Sequence, residues 1–227
     1  MKLYTGPLSL FSAKVRIALA EKGLPFESVS VGWSPERRYE PHHPEVVALN
    51  PRRQVPVLVD GTLVVTDSTR ILEYLDERFP EPPLMPADPV ERARCRELEA
   101  FGDEVIFPAL WDLIEEAFYP AGPSGRDVAR AESARARIGE HFAALDAGLV
   151  ERDFLCGGFG IADIGVFVMV STALTLGCAP SDSQRQLLGW LARTGGRPAV
   201  KQEIEGMQAF VAGLSSRSGA VAAGAGR

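Results

Sequence analysis

A chain of 227 residues has room for one large domain or two small ones and for a sizeable core. Hydrophobic content of 46% and charged content of 24% are ordinary for a water-soluble globular chain, and a net charge of −6 argues against nucleic acid as the partner. Residues 1–78 hold ten basic and ten acidic side chains, so the remainder carries the whole negative balance, and the arginines of the neutral first part suit a small anionic ligand.

Lys2–Thr5 reads as a short strand that Gly6-Pro7 ends. Ser12–Glu21 reads as a helix with Val15, Ala18 and Leu19 on one face and Gly23 as its stop. Residues 26–31 alternate apolar and polar, a strand pattern, and residues 32–49 read as irregular. Residues 57–59 and 62–65 form two strands around Asp60-Gly61, a hairpin signal. A helix follows from Asp67 to Arg78, with Ile71, Leu72, Leu75 and Phe79 inward. Strand–helix–strand, then strand–strand–helix, predicts a mixed four-stranded sheet with helices against it.

Pro80, Pro82, Pro83, Pro86 and Pro89 mark a linker over 80–89. Beyond it the periodicity is helical throughout: 90–111 extending to about 118, 128–149, 163–176, 183–192 and 199–214. The expected architecture is an α/β domain over 1–79 and an all-α domain over 90–214. Residues 215–227, mostly Ser, Gly and Ala, read as a flexible tail. Residues 161–176 are the most apolar run, yet they hold Asp163 and three hydroxyl residues and fall short of a membrane span. They read as a buried core helix. No secretory signal is visible, and Cys95, Cys156 and Cys178 form no CxxC, which suggests reduced thiols and the cytoplasm.

Three features could carry chemistry. Val55-Pro56 precedes a strand: either a strand-entry proline, or a cis bond that would turn the Val55 backbone toward an extended peptide. Asp67-Ser68 opens a helix: either a simple N-cap, or an anion site with an acid beside it for an ammonium. Ser9 and Ser12 lie in the first strand–helix turn, where Ser12 suits an N-cap and either hydroxyl could donate to an anion. No His or Asp stands nearby in sequence to make either serine a nucleophile, and no G-x-S-x-G elbow surrounds them. His42-His43 makes a poor metal site, because adjacent residues point apart and no third ligand is evident.

In their order and spacing these features resemble the cytosolic glutathione transferase family over residues 1 to about 212. The matching residues are Asn50-Pro51, Val55-Pro56, Leu58, Asp67-Ser68, Ile71 and Tyr74-Leu75, then Ile161-Ala162-Asp163, Trp190-Leu191 and Arg197-Pro198-Ala199-Val200. Ser9 stands six residues before Val15-Arg16, the spacing of the activating serine in the theta, tau and zeta classes. The resemblance implies a thioredoxin-like glutathione-binding domain, an all-helical second domain and a homodimer. Glutathione is then the co-substrate, with no metal, no membrane and no nucleic acid involved.

It further implies Ser9 as the thiol activator, with Ser12 as second candidate, and Gln54, Val55, Pro56, Asp67, Ser68, His42 and Arg53 as glutathione contacts. His43 and Arg52 are further candidates for the glycine carboxylate. A small apolar electrophile would meet Leu10, Phe11, Phe107, Trp111, Phe118 and Tyr119. Conjugation, dehalogenation and isomerisation are all open, as is a non-catalytic binding role. No cysteine occupies the Ser9 position, and the Ser-Ser-Cys of zeta isomerases is missing from Ser9-Leu10-Phe11-Ser12. Two departures stand out: Gly160 where the family has Ser or Thr, expected to soften a helix start, and Asp67 where Glu is commoner.

The mechanism this implies is modest in energy. Lowering a thiol pKa from about 8.5 by about two units needs roughly 2.7 kcal/mol. One hydrogen bond to the thiolate supplies about 1.5–3 kcal/mol. A helix N-terminus adds about 0.3–1 kcal/mol. A hydroxyl and a helix end therefore suffice.

Overall fold

The computed structural model describes residues 1–40, 42–118 and 127–224, with side chains through 214. Strand β1 (Lys2–Thr5) runs into helix α1 (Leu10–Glu21), and β2 (Glu27–Ser30) returns beside β1. Helix α2 (Pro44–Leu49), β3 (Val57–Asp60), β4 (Leu63–Thr66) and α3 (Ser68–Arg78) follow. The sheet order is β2-β1-β3-β4, with β1 parallel to β2 and antiparallel to β3, and β3 antiparallel to β4. Leu3 opposite Ser28 and Leu58 fixes the register, and Leu3 and Leu58 are wholly buried under α1 and α3. This is the mixed four-stranded sheet that the element order predicts, in the thioredoxin-like form that the resemblance implies.

Three local readings shift. Helix α1 begins at Leu10, and its N-cap is Ser9, not Ser12. The stretch read as irregular contains α2, a six-residue helix with Pro44 in its first turn and Val46 as its buried anchor. It is too short to show periodicity. In the hairpin, Asp60 pairs with Leu63, so the turn residues are Gly61-Thr62, one position later than expected.

Residues 80–88 carry no regular element but are pinned. The buried Lys22 ammonium bonds Asp76 at 3.0 Å and the carbonyls of Phe79 and Pro82 at 2.7 and 2.8 Å. Asp76 also accepts from the Leu84 N–H at 2.7 Å, and Leu84 and Met85 are buried.

Among the described residues, the remaining named elements are helices. The long helix read over 90–118 is divided into α4 (Pro89–Ala100), a π-helical segment (Phe101–Ile106) and α5 (Phe107–Phe118). Helices α6 (Val128–Gly148), α7 (Ile161–Thr175), α8 (Arg185–Gly195) and α9 (Pro198–Gly224) follow. Helix α9 continues ten residues past the end read at 214. Helix α7 is the buried core helix expected, with eleven of its fifteen residues buried. Among the described residues no helix is long and apolar enough to cross a membrane.

The start of α7 corrects the expectation of a softer cap. A Cβ at Gly160 would lie 2.4 Å from the Leu84 carbonyl oxygen, which accepts the Ile161 N–H at 3.0 Å. Only glycine lets the chain pass so close. The Gly160 N–H donates to Asp163 at 3.0 Å, and the other Asp163 oxygen accepts from Leu155 N–H at 2.9 Å and Trp190 Nε1 at 2.7 Å. The Asp163 carboxyl pKa is raised by burial, and these three bonds oppose the shift.

Helix α1 lies at the junction, packed on α3 and on α7 and α9. Arg16 on α1 forms a two-pronged ion pair with Glu203 of α9, and Arg197 forms another with Glu21 at 2.9 and 2.5 Å.

Candidate functional site

The turns after β1, before β3 and before α3 converge on one cavity of about 1050 Å³, closed on its other side by α5, α7 and α9. That size is at the upper end of the ~300–1,000 Å³ usual for small-molecule sites. It has room for a tripeptide and a second molecule.

Ser9 stands at its floor. As N-cap of α1, its Oγ accepts the Ser12 N–H at 3.1 Å. Its own O–H has no acceptor among the described residues. Ser12, the second candidate, is wholly buried, with its Oγ accepting the Gly6 N–H at 3.3 Å, and it does not line the cavity. The register of α1 explains this: with the cap at Ser9, Ser12 turns into the core.

The Val55-Pro56 peptide is cis, and neither backbone polar group of Val55 is hydrogen-bonded among the described residues. The preceding turn is held by Asn50, a buried side chain that the sequence reading quoted without giving it a role. Its Nδ2 donates to the Gln54 carbonyl at 2.8 Å, its Oδ1 accepts the Arg52 N–H at 3.0 Å, and its carbonyl accepts the Arg53 N–H at 2.8 Å. Arg52, Arg53 and Gln54 are thereby displayed at the rim.

Asp67 is the N-cap of α3, the simpler of the two roles its position allows, with Oδ1 accepting from Thr69 N–H at 3.1 Å and Arg70 N–H at 3.4 Å. Its φ of 79° is a left-handed-region value for a non-glycine residue, the kind of local strain found at ligand clamps. The second oxygen lies 4.0 Å from Arg52. Ser68, buried beside it, also lines the cavity.

His42 and His43 both line the cavity. His42 pairs with Glu40 at 2.9 Å, while His43 lies against the Tyr4 ring with an unpartnered buried Nδ1. Leu10, Phe11, Phe107, Trp111 and Phe118 line the opposite wall. Phe11 meets Phe107 edge-on at 4.9 Å between ring centres, and Phe107 meets Trp111 at 5.8 Å. Arg38 stacks over Trp111 at 5.4 Å and is paired with Glu115. Tyr119 lies outside the described residues.

The sequence reading missed a charged cluster beneath the site. Lys14, wholly buried on α1, pairs with Glu99 and with Asp103 at 2.7 Å. Thr69 donates to both Glu99 oxygens at 3.0 and 2.9 Å. Asp103 comes from the π-helical segment and reaches the cavity wall. Burial and the Glu99 charge push its pKa up to about 6 against the pull of Lys14. The available signal was a lysine on the apolar face of α1, between Ala13 and Val15. Trp33, Ile204, Met207 and Gln208 also line the cavity and were not foreseen, being brought there by the fold from distant segments.

All three cysteines are buried and none lines the cavity. Cys95 and Cys156 hydrogen-bond each other, which lowers the pKa of the first and raises that of the second. Among the described residues no group of three His, Cys, Asp or Glu could hold a metal.

The comparisons with known proteins follow this geometry. Residues 3–83 match the family model for the glutathione S-transferase N-terminal domain. The chain is 31% identical over 209 residues to FtsZ-localized protein A of Caulobacter vibrioides, covering 88% of each. It is 48% identical over 98 residues to a stringent starvation protein A homologue of Coxiella burnetii, where the match spans only 42% of this chain and 43% of that one. A crystal structure of the theta class glutathione S-transferase from Xanthomonas axonopodis pv. citri, with glutathione bound, superposes with a TM-score of 0.78 at 27% identity, covering 89% and 95% of the two chains. The chain belongs to the glutathione S-transferase family.

Proposed function

We propose that this protein is a glutathione S-transferase that holds glutathione across the three turns and uses Ser9 to stabilise its thiolate. The single observation that carries the reading is the state of Ser9. Its oxygen accepts the Ser12 N–H and its O–H has no acceptor among the described residues, so a proton is available to donate at a helix N-terminus and inside the cavity. A hydrogen bond to a thiolate and a helix end together account for a shift of about two pKa units.

In this reading the backbone of Val55 pairs with the cysteinyl part of glutathione. Ser68, through its hydroxyl and its own N–H, takes the γ-glutamyl carboxylate, and the Asp67 oxygen that does not cap the helix, 4.0 Å from Arg52, takes the ammonium. Gln54 and Arg53, with Arg52, His42 and His43 nearby, take the glycine carboxylate. The electrophile lies on Leu10, Phe11, Phe107, Trp111 and Phe118, and the sulfur attacks it by conjugation, dehalogenation or isomerisation. Residues 1–79 then serve glutathione and 90–214 the electrophile, with 80–89 as linker, in a cytoplasmic homodimer.

A Ser9→Ala variant tests this. The wild-type complex should show the ultraviolet thiolate band of glutathione at neutral pH. The variant should bind glutathione but lose the band, with kcat/KM lowered about 10- to 100-fold, the worth of one hydrogen bond to a charge. An unchanged band and rate would remove Ser9 from the mechanism.

A second reading, a binding or regulatory protein without chemistry, is favoured by the relatives whose names state no transferase activity, FtsZ-localized protein A and the stringent starvation protein A homologue. It predicts that glutathione either fails to bind or binds with no thiolate band.

A further inference from the structure

Ser9 is placed by the turn between β1 and α1, and that turn is held by long hydrogen bonds. The Ser9 N–H reaches the Gly6 carbonyl at 3.2 Å, Arg16 reaches the same carbonyl at 3.1 Å, and the Gly6 N–H reaches Ser12 Oγ at 3.3 Å. All three lie near or beyond the long end of the ~2.7–3.2 Å range for N–H···O bonds. Bonds of this length leave the turn some freedom, which packing has to remove.

The packing comes from Tyr39. Gly6 is buried, and a Cβ added there would lie 2.6 Å from the Tyr39 hydroxyl oxygen and 2.7 and 2.8 Å from two carbons of the ring. The Tyr39 ring therefore rests directly on the Gly6 backbone, an approach that a Cβ would block. The same ring packs against the buried cluster of Tyr4, Val31, Val46 and Val57.

The segment that carries Tyr39 is fastened in turn. Ser34 and Arg38 exchange two backbone hydrogen bonds, at 2.9 and 2.7 Å, which close residues 34–38 into a small turn. Arg38 pairs with Glu115 and stacks over Trp111, both on α5. Trp33 meets Phe210 of α9 at 6.0 Å between ring centres. On one side the segment is tied to two helices of the second part, and on the other it presses on the turn that carries Ser9.

We propose that Tyr39 is a positioning residue for Ser9: its ring, anchored through residues 33–38 to α5 and α9, presses on Gly6 and fixes the turn that aims the Ser9 hydroxyl at the glutathione sulfur. Tyr39 acts through the turn rather than on the sulfur. The consequence for the thiolate rests on the glutathione transferase reading, whereas the placing of the turn does not.

Tyr39→Ala and Tyr39→Phe separate packing from direct contact. Amide hydrogen exchange without glutathione reads the turn alone. Tyr39→Ala should speed exchange at the Ser9 N–H about tenfold while the α7 amides stay unchanged, which sets local loosening apart from general unfolding. Tyr39→Phe keeps the ring and should exchange like the wild type. With glutathione bound, the pH midpoint of the ultraviolet thiolate band should rise by about one unit in Tyr39→Ala, a tenfold loss of ionisation, and stay in place in Tyr39→Phe. Gly6→Ala, whose methyl would displace the ring, should raise the midpoint by itself but add nothing in the Tyr39→Ala background. An unchanged Ser9 exchange rate or an unchanged midpoint in Tyr39→Ala overturns the proposal. So does a Tyr39→Phe variant that behaves like Tyr39→Ala, since the hydroxyl rather than the ring would then be at work. Faster exchange in Tyr39→Ala with no thiolate band even in the wild type upholds the positioning and overturns the transferase reading instead.

Discussion

Ser9 and Asp103 both line the cavity, and they differ in how their protons are held. Ser9 has a donor to give because its O–H meets no acceptor among the described residues, while one of its two lone pairs takes the Ser12 N–H. Asp103 is a carboxyl held short of water among Lys14 and Glu99, with its pKa pushed up to about 6. An acid whose folded pKa lies above its unfolded value of about 3.8 binds its proton more tightly in the folded state. Its contribution to stability is therefore present below pH ~4 and is lost as pH rises through about 6. Asp103→Asn should flatten that part of the profile, so that urea midpoints measured from pH 4 to 6.5 decline less in the variant than in the wild type. A variant profile parallel to the wild type would show that Asp103 does not titrate in this window.

Gly160 gives a second prediction at this scale. From capping preferences, Gly160→Ser should gain a few tenths of a kcal/mol. The packing says otherwise, since the new Cβ would overlap the Leu84 carbonyl. Thermal unfolding should show a loss of about 1–3 kcal/mol, as overpacking against backbone does.

At the scale of elements, the site depends on short irregular turns. The segment before β3 has no helix or strand to shape it, and Asn50 substitutes for one by bonding the backbone at two places with its side chain. Asn50→Ala should loosen the positions of Arg52, Arg53 and Gln54. Calorimetry should then find glutathione affinity reduced about tenfold, with Asn50→Asp rescuing only the Arg52 contact, since a carboxylate cannot donate to the Gln54 carbonyl. The π-helical segment acts similarly within the long helix of the second part. Its extra residue per turn re-aims side chains, and Asp103 is delivered to the cavity from it. No periodicity argument over residues 90–118 could have found it, because a continuous α-helical pattern fits the apolar positions nearly as well.

At the scale of the molecule, α1 is the shared wall of both halves. Lys14 crosses the junction to meet Glu99 and Asp103, and Arg16 and Glu21 cross it to meet Glu203 and Arg197. Lys14→Met removes the one cation of a cluster in which both the lysine and Glu99 are almost wholly buried. It should cost about 3–5 kcal/mol, the penalty of leaving buried carboxylates unpaired, read as a lowered urea midpoint. Replacing Lys14, Glu99 and Asp103 together by apolar residues of similar size should recover most of that loss. If the single substitution alone proved neutral, the cluster would not hold the halves together.

The order of elements, the mixed sheet, the helical second part and the three turns that meet at the cavity were legible in the residues alone. Those follow from local rules: alternation and turn residues around the strands, a Pro-rich break, and an acid-hydroxyl pair at a helix start. Among the described residues, every candidate named from the sequence except Ser12 lines the cavity. Tertiary structure alone decided that Ser9 rather than Ser12 is the cap, that Asn50 shapes the rim, and that Lys14 is buried among acids. It alone also brought Ser171, Thr172 and Thr175 of α7 to the same cavity as Phe107 and Trp111. The Lys14 cluster and the α7 contribution depend on partners tens of residues away in the chain, which packing sets, whereas the Ser9 and Asn50 bonds span two to four residues and needed the structure only to choose among several possible local bonds.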